Sequence, residues 1–154
     1  MTTASDGRKP PIRDLSHSLP MELLKAREAA MARFRPMLRD KGLTEQQWRA
    51  LRVLAQYKDI DATELALRAL LLPPSLSRIL QFLERERLIE RTQDPEDHRR
   101  SRFRLTEKGG RVCTAIAPES EKLYAQIEAE FGSRELAQLF ALLAKFHETI
   151  AVKE

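Results

Sequence analysis

Cysteine is almost missing from this 154-residue sequence: Cys113 stands alone, which excludes an intramolecular disulfide framework. The three histidines, His17, His98 and His147, are scattered without metal-ligand spacing, so neither a metal nor a cofactor is expected. No apolar run approaches the ~18 residues that span a bilayer, and the N-terminus carries no signal-type apolar stretch. These absences predict a cytoplasmic protein with no membrane partner. No nucleophile–base pair and no phosphate-binding loop can be found, so no catalytic residue is assigned and an enzyme is not expected. What remains is a chain of one-domain length, 42% hydrophobic, with a net charge of +4 and a pI near 9.5 that modestly favour polyanionic partners.

The stretch Arg91-Thr92-Gln93-Asp94-Pro95-Glu96-Asp97-His98-Arg99-Arg100-Ser101-Arg102-Phe103-Arg104-Leu105-Thr106 concentrates that positive charge. Phe103 and Leu105 alternate with Arg102 and Arg104, the pattern of a half-buried edge strand with one apolar and one cationic face. Asp94-Pro95-Glu96-Asp97 is turn chemistry, which puts Arg99 and Arg100 at or near a loop tip. Asp97 is expected to hold the Arg99 guanidinium in one orientation. By itself such a hairpin is equally a solvated turn with local ion pairs.

The elements before it decide between these readings. Residues 1–18, with Lys9-Pro10-Pro11, read as a flexible arm. A first helix runs from near Pro20 to near Gly42, with Pro36 expected to kink or break it. Thr44-Glu45-Gln46-Gln47 is a capping box opening a second helix, whose Trp48, Leu51 and Ala55 share one face. Asp61-Ala62-Thr63-Glu64 starts a short third helix. Pro74 fits the first turn of a fourth, with Leu76, Ile79, Leu80 and Leu83 on its apolar side and Ser75, Ser77, Arg78 and Gln81 on its polar side. Two short helices joined by a brief turn form a helix-turn-helix. Hydroxyl, guanidinium and amide groups are suited to phosphates and base edges, although on an amphipathic helix the same residues also make an ordinary wet face. Followed at once by the basic hairpin, they read as a winged helix-turn-helix.

Thr106 caps a further helix carrying Val112, Ile116, Leu123, Ile127 and Phe131 at helical spacing, with Pro118 expected to bend or interrupt it. Gly132-Ser133 ends that helix and caps the next, where Leu136, Leu139, Phe140, Leu143, Phe146 and Ile150 form an apolar stripe. Such faces either meet a partner subunit or fold back on the first helix. In that first helix Arg27 lies among Leu23, Leu24, Met31, Phe34 and Leu38. A cation there meets an internal acid, snorkels to water, or awaits an anionic ligand. Cys113 reads as a packing residue or, alternatively, as a thiol sensor.

The order of elements, with Asp97-His98-Arg99 and Leu105-Thr106-Glu107-Lys108-Gly109, resembles the MarR family of bacterial transcriptional regulators from Leu19 onward. Leu23-Leu24-Lys25-Ala26-Arg27-Glu28-Ala29-Ala30-Met31 and Leu43-Thr44-Glu45-Gln46-Gln47-Trp48-Arg49 resemble the members of that family that control aromatic-acid catabolism. The resemblance implies a mainly α fold with a small β-hairpin wing: residues 19–154 as one domain, the winged helix-turn-helix at 43–106 and dimerisation helices at 19–42 and 107–154. It further implies a homodimer on double-stranded palindromic operator DNA, with recognition helices roughly 34 Å apart, acting as a repressor released by a small aromatic carboxylate. The DNA-binding residues would be Ser75, Ser77, Arg78, Gln81, Arg85, Asp97, Arg99 and Arg100. Arg27 would bind the effector carboxylate beside Met31, with Trp48 as apolar wall and Arg35 or Arg49 assisting. Two positions depart from the family pattern: Phe82 stands where a second recognition-helix arginine is usual, and Arg87 where many members have glycine. The alternative is an architectural or partner-docking nucleic-acid-binding protein without a small-molecule effector.

Overall fold

A computed structural model of the chain describes residues 12–151, and the expected arm segment Lys9-Pro10-Pro11 lies outside them. The chain forms two compact units, one ending at Arg33 and the other starting at Phe34. In the first, part of the expected arm is locally ordered. Asp14 caps a single 3₁₀ turn, Leu15–His17, by accepting the Ser16 backbone N–H at 3.0 Å. Helix α1 (Leu19–Asp40) follows, with Pro20 in its first turn, where a missing N–H costs nothing.

Of the kink or break expected at Pro36, the break does not occur, and helix α1 continues through it to Asp40. Proline removes one N–H from the ladder, and the turns on both sides hold the helix together. In the second unit α1 ends where Gly42 takes φ +70°, its N–H donating to the Arg39 carbonyl while the Leu43 N–H reaches Leu38, each at 2.9 Å. Helix α2 (Glu45–Gln56) opens with the full capping box: the Gln47 N–H donates to Thr44 Oγ1 at 3.1 Å and the Thr44 N–H to Gln47 Oε1 at 2.9 Å. Asp61 caps α3 (Ala62–Ala69) by accepting the Glu64 N–H at 2.8 Å. Pro73 and Pro74 occupy the first positions of α4 (Pro73–Arg85). The turn leaving α4 places Arg87 at φ +58°, the left-handed region where glycine is at ease.

The hairpin consists of β2 (Ile89–Gln93) and β3 (Ser101–Leu105), antiparallel with Arg91 opposite Phe103. A two-residue strand β1 (Ile60–Asp61) pairs with the other side of β3, giving the order β1-β3-β2. The expected edge strand is therefore the central one, because two residues of β1 are too few to produce a periodic signal. Phe103 is buried, whereas the residue expected beside it on an open cationic face, Arg102, is half-buried.

Thr106 caps α5 (Glu107–Phe131), accepting the Gly109 N–H at 3.0 Å, and α5 continues uninterrupted past Pro118. Gly132, at φ +105°, joins it to α6 (Ser133–Ile150). Ser133 is the first helical residue of α6 and not its cap, a correction to the expected arrangement: Gly132 holds the cap position and no side chain bonds there. Leu51, Leu54, Leu65, Leu83, Phe103 and Ile116 are essentially sealed from water, each burial contributing about 1.5–3 kcal/mol. Ala55, expected on the inner face of α2, is exposed. Of the apolar series expected on α5 only Ile116 is buried, and α6 buries none of its residues.

Candidate functional site

Helix α4 sorts its side chains by helical spacing. Leu76, Ile79, Leu80 and Leu83 are buried, while Pro74, Arg78, Gln81 and Arg85, at i, i+4, i+7 and i+11, line its solvent side. Ser77 lies on the flank toward the hairpin, since it shares a cleft of about 320 Å³ with Arg91, Arg99 and Arg100. Glu84, on the same flank one turn pair later, accepts Arg91 Nε at 2.8 Å and fixes α4 to β2. Ser75 falls on the opposite flank with Phe82, seven residues on.

The loop between β2 and β3 is organised from its own carboxylates. Asp94 Oδ1 accepts the backbone N–H of Glu96 at 2.9 Å and of Asp97 at 3.3 Å, and the Asp94 N–H donates to the Arg100 carbonyl at 2.9 Å. Asp97 accepts the backbone N–H of Arg99 at 3.1 Å, not its guanidinium. The expected orienting pair is thus corrected to a backbone turn: a short carboxylate two residues upstream reaches the nearby amide before it can meet a long side chain.

The arginines of this region divide into two groups. Arg102 donates to Asp59 Oδ2 at 2.9 Å, to the Asp59 carbonyl at 2.6 Å and to Asp94 Oδ2 at 3.3 Å, tying the hairpin to the segment before β1. The backbone N–H of Glu96 foremost, and then the Arg102 guanidinium, hold the Asp94 carboxyl below the usual carboxylate range; Asp59 and then Asp94 raise Arg102. Arg91 is held by Glu84 and Arg104 by Glu90, its partner in the strand register. Arg68, stacked 3.9 Å from the Tyr57 ring, is held by Glu64. By contrast, Arg78, Arg99 and Arg100 are exposed and their guanidinium groups have no hydrogen bond or ion pair among the described residues. Arg85 lies 5.5 Å over the Phe82 ring and 3.8 Å from Glu86.

The residues expected to bind an effector occupy different settings. In the first unit Arg27 is exposed, 2.9 Å from Glu28, and Met31 is half-buried. In the second, Arg35 pairs with Glu45 at 3.1 Å, and Arg49 donates to the Leu70 carbonyl at 3.3 Å, at the helix-turn-helix bend. Trp48 is half-buried on α2. One turn beyond Trp48, Arg52 donates to the Tyr124 hydroxyl of α5 at 3.5 Å, and the Tyr124 ring lies 4.8 Å from that of Phe34. Sequence reasoning missed Arg52 because its neighbour is 72 residues away; the one available signal was its i, i+4 spacing from Trp48. Cys113 is half-buried, and burial pushes its thiol up, away from the thiolate a reactive cysteine needs. Among the described residues no cluster of metal-ligating side chains occurs, and no helix is long and apolar enough to cross a membrane.

Comparison with known proteins places this geometry in a family. A MarR family model matches residues 41–100, which take in the helix-turn-helix, β2 and the loop that follows it. The chain is 43% identical to the homoprotocatechuate degradative operon repressor of Escherichia coli over 129 residues, 84% of this chain and 87% of that one. The crystal structure of transcriptional regulator PA4135 superposes with a TM-score of 0.83 at 43% identity, covering 88% of this chain and 98% of that one. The crystal structure of NadR in complex with 4-hydroxyphenylacetate gives 0.75 at 37% identity, covering 88% and 96%. A helix-turn-helix with a basic wing, at this identity and over this share of both chains, means that the protein belongs to the MarR family of transcriptional regulators.

Proposed function

We propose that two copies of this chain bind a palindromic operator in the cytoplasm, repress an operon for the breakdown of an aromatic acid, and release the DNA when an aryl carboxylate binds. The observation that carries the DNA reading is the division among the arginines. Those on the hairpin strands have carboxylate partners, whereas Arg78 on α4 and Arg99 and Arg100 in the loop have none among the described residues and are left for another anion. Ser75, Ser77, Arg78, Gln81 and Arg85 face the major groove, and Arg99 and Arg100 enter the adjacent minor groove, where negative potential is concentrated. Asp97 shapes the loop that presents them. The exposed Phe140, Leu142 and Ile150 of α6 support association with a second copy. The reading includes no catalytic step.

For the effector, the arginine we favour is Arg52. Glu28 and Glu45 offset the charges of Arg27 and Arg35, and Arg49 is committed to the helix-turn-helix bend. Arg52 meets a neutral hydroxyl beside two aromatic rings, a setting that suits an aryl carboxylate, with Trp48 supplying apolar wall one turn away. The relative that binds 4-hydroxyphenylacetate supplies the probe. An operator duplex selected from random DNA should bind wild type and be released by 4-hydroxyphenylacetate. Arg52→Ala should keep operator affinity while needing roughly ten- to hundredfold more effector, the loss of one charge-assisted hydrogen bond. Unaltered release from Arg52→Ala refutes the sensor assignment, and specific binding that no aryl carboxylate reverses favours the effector-free alternative.

A further inference from the structure

Phe82 is the exception on α4. From Leu76 onward every other apolar residue of that helix is at most 6% exposed, yet Phe82 is half-buried on the flank of the solvent-facing row. That flank is the one away from the hairpin, because Glu84 and Ser77 hold the other side. The Arg85 guanidinium sits 5.5 Å over the Phe82 ring, which holds the charge beside an apolar surface and not over the base-reading residues Arg78 and Gln81. An aromatic ring at the border of a groove-facing surface has one apolar partner in the major groove, the C5-methyl group of a pyrimidine.

We infer that Phe82 is a specificity-determining residue: its ring contacts a thymine methyl in each half-site, while Arg85 stacked on it reaches the neighbouring phosphate. This rests on the DNA-reading role proposed for α4. The discrimination comes from chemistry opposite to that of an arginine at the same position, which would favour guanine.

The test separates the two claims. Duplexes selected from random DNA by wild-type protein are resynthesised with deoxyuridine replacing thymine at one symmetric pair of positions at a time, which removes only the methyl groups. Binding is read by fluorescence anisotropy. Wild type should lose affinity at one symmetric pair by about fourfold per half-site, the transfer free energy of one methyl, or roughly fifteenfold for the dimer. Phe82→Gln, checked for an unchanged melting profile, should bind the thymine and deoxyuridine duplexes equally at that pair. Phe82→Arg should select a different base there, and it carries the test if Phe82→Gln does not fold. Absence of any deoxyuridine-sensitive pair, or the same sensitivity in the folded variants, overturns the role of Phe82 while leaving the DNA reading intact. If no duplex is enriched by wild type, the DNA reading itself fails and this role with it.

Discussion

Gly109 and Gly110 are adjacent in the first turns of α5, and replacing each by alanine should have opposite consequences. A Cβ built on Gly109 falls 2.0 Å from the carbonyl oxygen of Leu88 and 2.9 Å from its carbon, whereas one on Gly110 meets nothing within 4 Å. The obstacle at Gly109 is backbone at the base of β2, held in place because the Leu88 carbonyl accepts the Thr106 N–H at 3.1 Å. Ordinary van der Waals contact requires the helix and strand to separate by more than an ångström, breaking the arrangement that fixes the hairpin against α5. Overpacking of this kind costs about 1–3 kcal/mol or more, while the intrinsic helix preference of alanine returns about 0.5–1 kcal/mol. Gly109→Ala should therefore destabilise by roughly 2 kcal/mol net, and Gly110→Ala should stabilise by about 0.5–1 kcal/mol. Urea unfolding at a fixed protein concentration measures both, and the fixed concentration matters because a dimer's stability depends on it. A Gly109→Ala protein as stable as Gly110→Ala would refute the close helix–strand approach.

Two other substitutions address the turns that carry the hairpin. Arg87→Gly should raise the urea midpoint by about 0.5–1 kcal/mol equivalent, since a Cβ at φ +58° is strained and glycine is not; an unchanged or lower midpoint contradicts this. Asp94 is held below the usual carboxylate range, so its stabilising contribution is complete above the ordinary value near ~3.9 and disappears as pH falls through its lowered folded value. The melting temperatures of wild type and Asp94→Asn should accordingly differ at neutral pH and converge in acid, and a gap that stays constant down to pH ~3 counts against the assignment.

How far the sequence could be read depended on whether a feature is local. Thr44 with Gln47, Asp61, Pro74 and Thr106 each fix a helix start through interactions within three or four residues, so residue order alone makes them legible. Apolar periodicity likewise located α4, and the alternation around Phe103 located β3. Periodicity failed where the deciding partner is distant or very short. Strand β1 has two residues, and its pairing makes β3 central; Arg102 is neutralised by Asp59, which lies 43 residues away. Neither Pro36 nor Pro118 ends its helix, because one missing N–H does not end a helix held on both sides. For the candidate site, the exposed row of α4 and the exposure of Arg99 and Arg100 in the loop were legible from spacing and turn chemistry. What could not be read was which arginines already have partners: Glu84 and Glu90 reach Arg91 and Arg104 only once the fold is formed.

The division among arginines sets the salt dependence of operator binding. Each phosphate contact contributes about 0.9 to the slope of log K against log salt. Arg99→Ala combined with Arg100→Ala removes two unpaired guanidinium groups per subunit, four per dimer. Measured by anisotropy between ~50 and ~200 mM salt, the double variant should bind more weakly with a slope shallower by about 3–4, whereas Arg104→Ala, whose charge Glu90 already offsets, should leave the slope nearly unchanged. Equal slopes for wild type and the double variant, or a larger change from Arg104→Ala, would mean that Arg99 and Arg100 do not neutralise the DNA backbone.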